Sequence, residues 1–193
     1  MTLLALLRHA ETAWSAQRRI QGRADVPLSD AGRERLRSMK LPEACRGMRI
    51  VASPLARCVE TAALLGAPDA PREPRIIEMD WGDWQGDTLE QLRRRLGQAM
   101  RENEAQGLDF TPAGGESPRM VLHRITSWLQ EVSVPTLAVT HRGVIRALLA
   151  AACGWDMRGA PPAKLDWSAV HLFELDAQGR PRVRQLNVKL ASG

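Results

Sequence analysis

The chain has 193 residues, 44% of them hydrophobic and 25% charged, with 15 Gly, 12 Pro, 6 Trp and no Tyr. That length suits a single domain with a real core, and the composition excludes disorder, collagen and coiled coil. Its 27 Lys and Arg against 22 Asp and Glu leave a net charge of +5, which admits nucleic acid, an anionic surface or a small anion as partner.

Residues 2–7 form a short apolar run of strand length that passes straight into Arg8-His9. It has no basic leader and is far too short to cross a membrane, so a cytoplasmic protein is expected, with no membrane partner. Ser29-Asp30 caps a helix that the pattern carries to about Lys40. Arg49–Ala52 is a second strand, and Ser53-Pro54 reads as the cap and first turn of a helix over 55–65, stopped by Gly66 and Pro68. Residues 75–77 read as a short extended segment. Asp87 is the expected cap of a helix over 88–106, whose Leu89, Leu92, Leu96 and Met100 keep helical spacing. Arg93-Arg94-Arg95 falls on that helix without interleaved aromatics and reads as a solvated face, so no nucleic-acid partner is expected. After the loop at 112–115, Ser117-Pro118 opens a helix running to about Glu131. Thr136–Thr140 is a β-branched strand, and a helix from Gly143 or Val144 to about Cys153 ends at Gly154. Strands at 170–174 and 183–188 flank a turn at 176–179. Alternation of this kind predicts an α/β fold, a three-layer α/β/α sandwich with a mostly parallel central sheet. Cys45, Cys58 and Cys153 are odd in number and widely spaced, and read as buried or half-buried thiols.

In open α/β sheets ligands bind beyond the carboxyl ends of the strands. Those ends deliver Arg8-His9, then Ser53 through Arg57, then Thr140-His141-Arg142. Two of the four histidines and three arginines therefore converge on one sheet edge, whereas His123 and His171 read as structural. Guanidiniums clamp phosphoryl oxygens, and an imidazole nitrogen can carry a phosphoryl group. No metal-ligand motif and no Walker loop is present, so neither metal nor cofactor is expected.

Arg8-His9-Ala10-Glu11-Thr12 resembles the R-H-G-E-T signature of the histidine phosphatase superfamily, the phosphoglycerate mutase-like fold. Further blocks follow in the family's order: Ile20-Gln21-Gly22 with Asp25 through Ser29, Ser53-Pro54-Leu55-Ala56-Arg57 with Thr61-Ala62, Glu78 four residues before Gly82, Gly114 through Ser117, and Thr140 through Arg146. The resemblance covers nearly the whole chain as one domain, with roughly 78–116 as a helical and loop insertion covering the site. It implies that His9 is the nucleophile and becomes phosphohistidine. Arg8, Arg57 and His141 line the phosphate pocket, and Glu78 is the acid, then the base; Ser15, Gln21 and Gly22 are weaker matches to phosphate-binding positions. Asp80 and Asp83 compete with Glu78 for the acid's role. Three departures stand out: Ala10 for Gly, Ser15 for the usual Asn, and Arg142 where a small residue is usual. Arg142 either reaches a second anionic group or faces solvent. Trp14, Trp81 and Trp84 surround the pocket segments, and packing is preferred over substrate stacking as their role. The implied activity is a metal-independent phosphomonoesterase acting on a small phosphorylated metabolite, as in small members such as α-ribazole-phosphate phosphatases. A mutase-type phosphoryl isomerase and a non-catalytic phosphate or polyanion binder are the alternatives. The sequence leaves the oligomeric state open.

Overall fold

The computed structural model describes all residues, Met1–Gly193. Its five-stranded sheet contains β1 (Thr2–Arg8), β3 (Arg49–Ala52), β4 (Thr136–Thr140), β5 (Val170–Leu175) and β6 (Pro181–Val188), in the order β3-β4-β1-β5-β6. β3, β4 and β1 are parallel, and β5 and β6 join antiparallel on the far side. The sheet is thus mixed around a parallel core. Two short strands, β2 (Met39–Lys40) and β7 (Ala191–Ser192), pair with each other outside it.

The two-residue side-chain period of a strand divides the central strands between two cores. Leu4 and Leu6 of β1 and Ala138 of β4 face α6 (Pro118–Glu131) and α7 (Arg142–Cys153), meeting Val121, Ile125, Val144, Ile145 and Leu148. Ala5, Leu7, Leu137 and Val139 face the opposite layer, meeting Cys58 and Ala62 of α3 (Ala56–Leu64). The helix α2 (Asp30–Arg37) packs against α3 and completes that layer. β4 is buried along its whole length, as a central strand covered on both faces must be.

Several local expectations need correction. α2 stops at Arg37, and the chain turns into β2 where the pattern had carried the helix to Lys40. Residues 74–76 form a 3₁₀ turn in place of an extended segment, opened by Pro74 and tied by Glu73 to the Arg75 N–H at 2.9 Å. The helix expected over 88–106 is two helices, α4 (Leu89–Leu96) and α5 (Gln98–Glu104). Gly97 breaks them apart at φ +54°, a conformation other residues seldom adopt. Its cap is Thr88, in a reciprocal capping box with Gln91, and not Asp87. The polar stretch after β1 holds a short helix, α1 (Ala13–Ala16), capped by Thr12. Cys45 and Cys58 are buried as expected, but Cys153 is exposed. Arg93, Arg94 and Arg95 face solvent and pair with Glu104, Glu90 and Asp87.

Candidate active site

The parallel ladder carries on for one residue past β1 and β3. The His9 N–H donates to the Thr140 carbonyl at 3.0 Å, and the Ser53 N–H to the Val139 carbonyl at 2.9 Å. Because Arg8 is in register with Thr140, the next residues, His9 and His141, come side by side with ring centroids 5.3 Å apart. Both are buried, at 5% and 0% exposure.

His9 Nδ1 lies 2.7 Å from the Ala10 carbonyl, an acceptor only, so Nδ1 carries the proton and Nε2 keeps its lone pair. Ala10 is fixed in turn, its N–H donating to Thr61 Oγ1 at 3.0 Å. Burial first, then the positive charges of Arg8 and Arg57, hold the His9 pKa well below the ordinary imidazole value. The ring is therefore neutral at physiological pH. His141 is held down by the same burial and by Arg57, and its Nε2 shares a 2.6 Å hydrogen bond with Ser53 Oγ.

That bond explains why Ser53 is not the cap of α3. The Ala56 N–H at the head of α3 donates instead to Asp25 Oδ1 at 2.7 Å, across a separation of 31 residues. Ser53 is a site residue that helix-capping logic assigned elsewhere; the S-P-L-x-R block was its only signal.

Arg57, in the first turn of α3, is fully buried. Its terminal nitrogens donate to the carbonyls of Gly22 and Ala24, both at 2.7 Å. Gly22 sits at φ +52°, which turns the loop sharply enough to bring those carbonyls round. The Nε groups of Arg8 and Arg57 are buried and donate to nothing in the protein. Buried donors are normally satisfied, so these two Nε groups are free to receive an anionic ligand. Gln21 is buried with its Oε1 accepting from the Thr12 hydroxyl at 2.8 Å. Ser15 lines the cleft beside His9, but its hydroxyl is spent locally: it accepts from the Thr12 N–H and donates to the Thr12 carbonyl, closing the cap of α1.

Glu78 is buried, and burial raises its pKa against the opposing pull of two N–H donors and the nearby arginines. Its Oε1 accepts from the N–H groups of Met79 at 2.9 Å and Gly143 at 3.0 Å, which leaves Oε2 to hold a proton. Only glycine allows this approach, since a Cβ at 143 would strike Glu78 Oε1. Arg124 and Glu116 fix the loop around Glu78. Arg124 donates to the Ile77 carbonyl at 2.6 Å, and Glu116 accepts from the Asp80 N–H at 3.1 Å while pairing with both Arg124 and Arg23. Asp80 Oδ1 is used on the Gly82 N–H and Asp83 is exposed, which separates both from Glu78's buried setting.

Phe110 makes T-shaped contacts with both Trp81 and Trp84, and Trp84 packs on Leu92 and Met100, so these tryptophans pack the 78–116 segment. A cleft of about 1180 Å³ opens past Arg8, His9 and Ser15, bounded by Gly32 and Arg35 of α2 and by Lys164, Trp167 and Lys189. Arg57, Glu78 and His141 are not part of its lining. No three His, Cys, Asp or Glu side chains converge as a metal would need.

Fold and site together define an α/β sandwich with a largely buried cluster of two histidines and two arginines at the carboxyl edge of its parallel strands. The chain belongs to the histidine phosphatase superfamily (branch 1), whose family model matches residues 4–189. It is 30% identical over 168 residues to phosphoserine phosphatase 1 of Hydrogenobacter thermophilus, covering 81% of this chain and 79% of that one. A bifunctional protein of Mycobacterium tuberculosis is 31% identical over 196 residues, covering 96% of this chain, which spans only 54% of that relative's length. Among solved structures, a mycobacterial glucosyl-3-phosphoglycerate phosphatase in complex with VO3 superposes with a TM-score of 0.78 at 27% identity, covering both chains fully.

Proposed function

We propose that the protein is a phosphomonoesterase that hydrolyses a small phosphorylated metabolite through a phosphohistidine at His9. The observation that carries this reading is the locked ring of His9: Nδ1–H is held by the Ala10 carbonyl, and Nε2 is neutral beside Arg8 and Arg57. Arg8 and Arg57 hold the non-bridging oxygens, with His141 beside them. Ser15, Gln21 and Gly22 shape the surrounding loop. The His9 Nε2 lone pair attacks phosphorus, the ester P–O bond breaks, and Glu78 gives its proton to the departing oxygen. The Glu78 carboxylate then takes a proton from water, whose oxygen attacks phosphorus. The P–N bond breaks and neutral His9 is restored with Glu78 reprotonated. Every step uses protein groups alone, without metal or cofactor. In this reading the enzyme works in the cytoplasm, where Cys45, Cys58 and Cys153 remain reduced.

The test is phosphate release from 4-nitrophenyl phosphate in excess EDTA, comparing the native protein with His9→Ala. Turnover that survives chelation and disappears in the variant is expected, together with acid-labile phosphate on the native chain. Loss of activity on chelation would overturn the reading. Transfer of phosphate to a second hydroxyl without release would identify a mutase, and tight phosphate binding without turnover a binder.

A further inference from the structure

Arg142 and Arg146 stand one turn apart at the start of α7, immediately after His141. The arginines of α4 all have carboxylate partners, but neither of these does within 4.0 Å. Each guanidinium lies instead over an indole: Arg142 at 4.7 Å from the Trp167 ring centre and Arg146 at 5.3 Å from that of Trp155. Stacking of this kind fixes the plane of the guanidinium and leaves its N–H edge free to donate.

Three observations place Arg142 beside the site, although it lies outside the lining of the cleft itself. It follows His141, whose ring neighbours His9. Its other neighbour, Gly143, donates its N–H to Glu78. Trp167, the ring beneath it, lines the cleft together with Arg8 and His9. The charge of Arg142 is felt at Arg8, whose pKa it lowers next after burial. The Arg142 guanidinium is exposed, repels that of Arg8, and has Glu78 as the acidic group within reach of its charge. A ligand with more negative charge than one phosphoryl group would offer it a partner of its own.

We propose that Arg142, braced by Trp167, is a second anion subsite, and that the substrates are phosphomonoesters whose alcohol carries its own anionic group, a carboxylate or a second phosphate. Arg146 adds to the positive field from one turn behind. This proposal rests on the hydrolase reading above and names the substrate class of that site.

Matched substrates test it. 3-Phosphoglycerate and glycerol 3-phosphate differ by a carboxylate against a hydroxymethyl group, and fructose 1,6-bisphosphate and fructose 6-phosphate by a second phosphate. The native enzyme is expected to favour the anionic member of at least one pair, mainly through KM, and the pair with the larger ratio identifies the group. Arg142→Ala is expected to reduce that ratio by about 10- to 100-fold, the loss typical of one charged hydrogen-bonded pair. Arg142→Lys, which keeps the charge without the stacked fork, is expected to retain part of it. Equal kcat/KM within both pairs, or a preference unchanged in Arg142→Ala, would overturn the subsite while leaving the hydrolase intact. Release of phosphate from none of these substrates, nor from 4-nitrophenyl phosphate, would overturn the hydrolase reading. The subsite is then decided by calorimetric binding of 3-phosphoglycerate and glycerol 3-phosphate to the native and Arg142→Ala proteins. The same loss of ratio supports it, and equal affinities overturn it.

Discussion

Glu78 and His9 are paired by opposite demands on protonation, and burial serves both. Removing a carboxyl from water favours its neutral acid, and removing an imidazole from water favours its neutral base. One buried pocket therefore keeps both groups neutral at the same pH, as the proposed proton donor and nucleophile require. The neutral acid is lost as pH rises through the raised pKa of Glu78, so the basic limb of kcat/KM is expected to lie above the usual carboxylate range. In Glu78→Gln that limb should vanish. The variant should lose about 10²- to 10⁴-fold in kcat on an alkyl phosphate, whose leaving oxygen needs the proton. On 4-nitrophenyl phosphate, where the leaving group departs without help, it should instead show a burst of nitrophenol followed by slow turnover. Rapid-quench kinetics on the two substrates measure this. Equal losses on both would show that Glu78 acts on something other than the leaving oxygen.

At the scale of elements, the acid is placed by a loop and not by a strand, and glycine makes that loop possible. Gly82 sits at φ +48°, and a Cβ there would lie 2.6 Å from Gly114 C and 2.7 Å from Gly115 N. Both are backbone atoms with little room to yield. The same contact brings the Asp83 N–H to the Ala113 carbonyl at 3.0 Å and the Glu116 N–H to the Asp80 carbonyl at 2.8 Å, binding the 114–117 block to the acid loop. Gly82→Ala is therefore expected to cost about 1–3 kcal/mol, which for a chain of this size lowers Tm by about 3–10 °C. Gly97→Ala is the control. Its φ is equally positive, but a Cβ there would meet nothing within 4 Å, so it should cost the backbone strain alone and less than Gly82→Ala, which adds the clash. Thermal unfolding followed by circular dichroism compares them, and equal shifts would contradict the packing argument. The sequence carried the strands, the order of the motif blocks and the convergence of Arg8, His9, Arg57 and His141, because each follows a strand whose periodicity or β-branching is visible. It did not carry contacts made by partners far along the chain. Asp25 capping α3, Ser53 turning to His141, and the Arg124–Glu116–Arg23 brace all join residues whose own segments offer them ordinary local roles. The division of 88–106 at Gly97 is not legible in the sequence because the apolar spacing continues across the break.

Across the whole molecule, the cost of this pocket is acid sensitivity. His9 and His141 are kept neutral by burial in the folded protein but titrate normally once unfolded, and His171, buried on β5, is lowered in the same direction. Below the unfolded value of about 6.5 the unfolded chain thus binds more protons than the folded one. The stability these residues contribute is fully present above that pH and is lost as pH falls toward their depressed folded values. Each fully uncoupled histidine contributes a slope of about 1.4 kcal/mol per pH unit. Glu78 works the other way: with its folded pKa raised, its contribution is present below the ordinary carboxylate value and is lost as pH rises through the raised one. Urea unfolding between pH 7.5 and 5 should therefore show stability falling with acid well before ordinary carboxylates titrate. His141→Gln keeps a polar side chain with no such titration and should flatten the slope by about one proton's worth, whatever its effect on stability at neutral pH. An unchanged slope in that variant would mean that His141 takes up its proton over the same pH range in the folded and the unfolded chain, and the neutral pocket proposed around His9 would have to be redrawn.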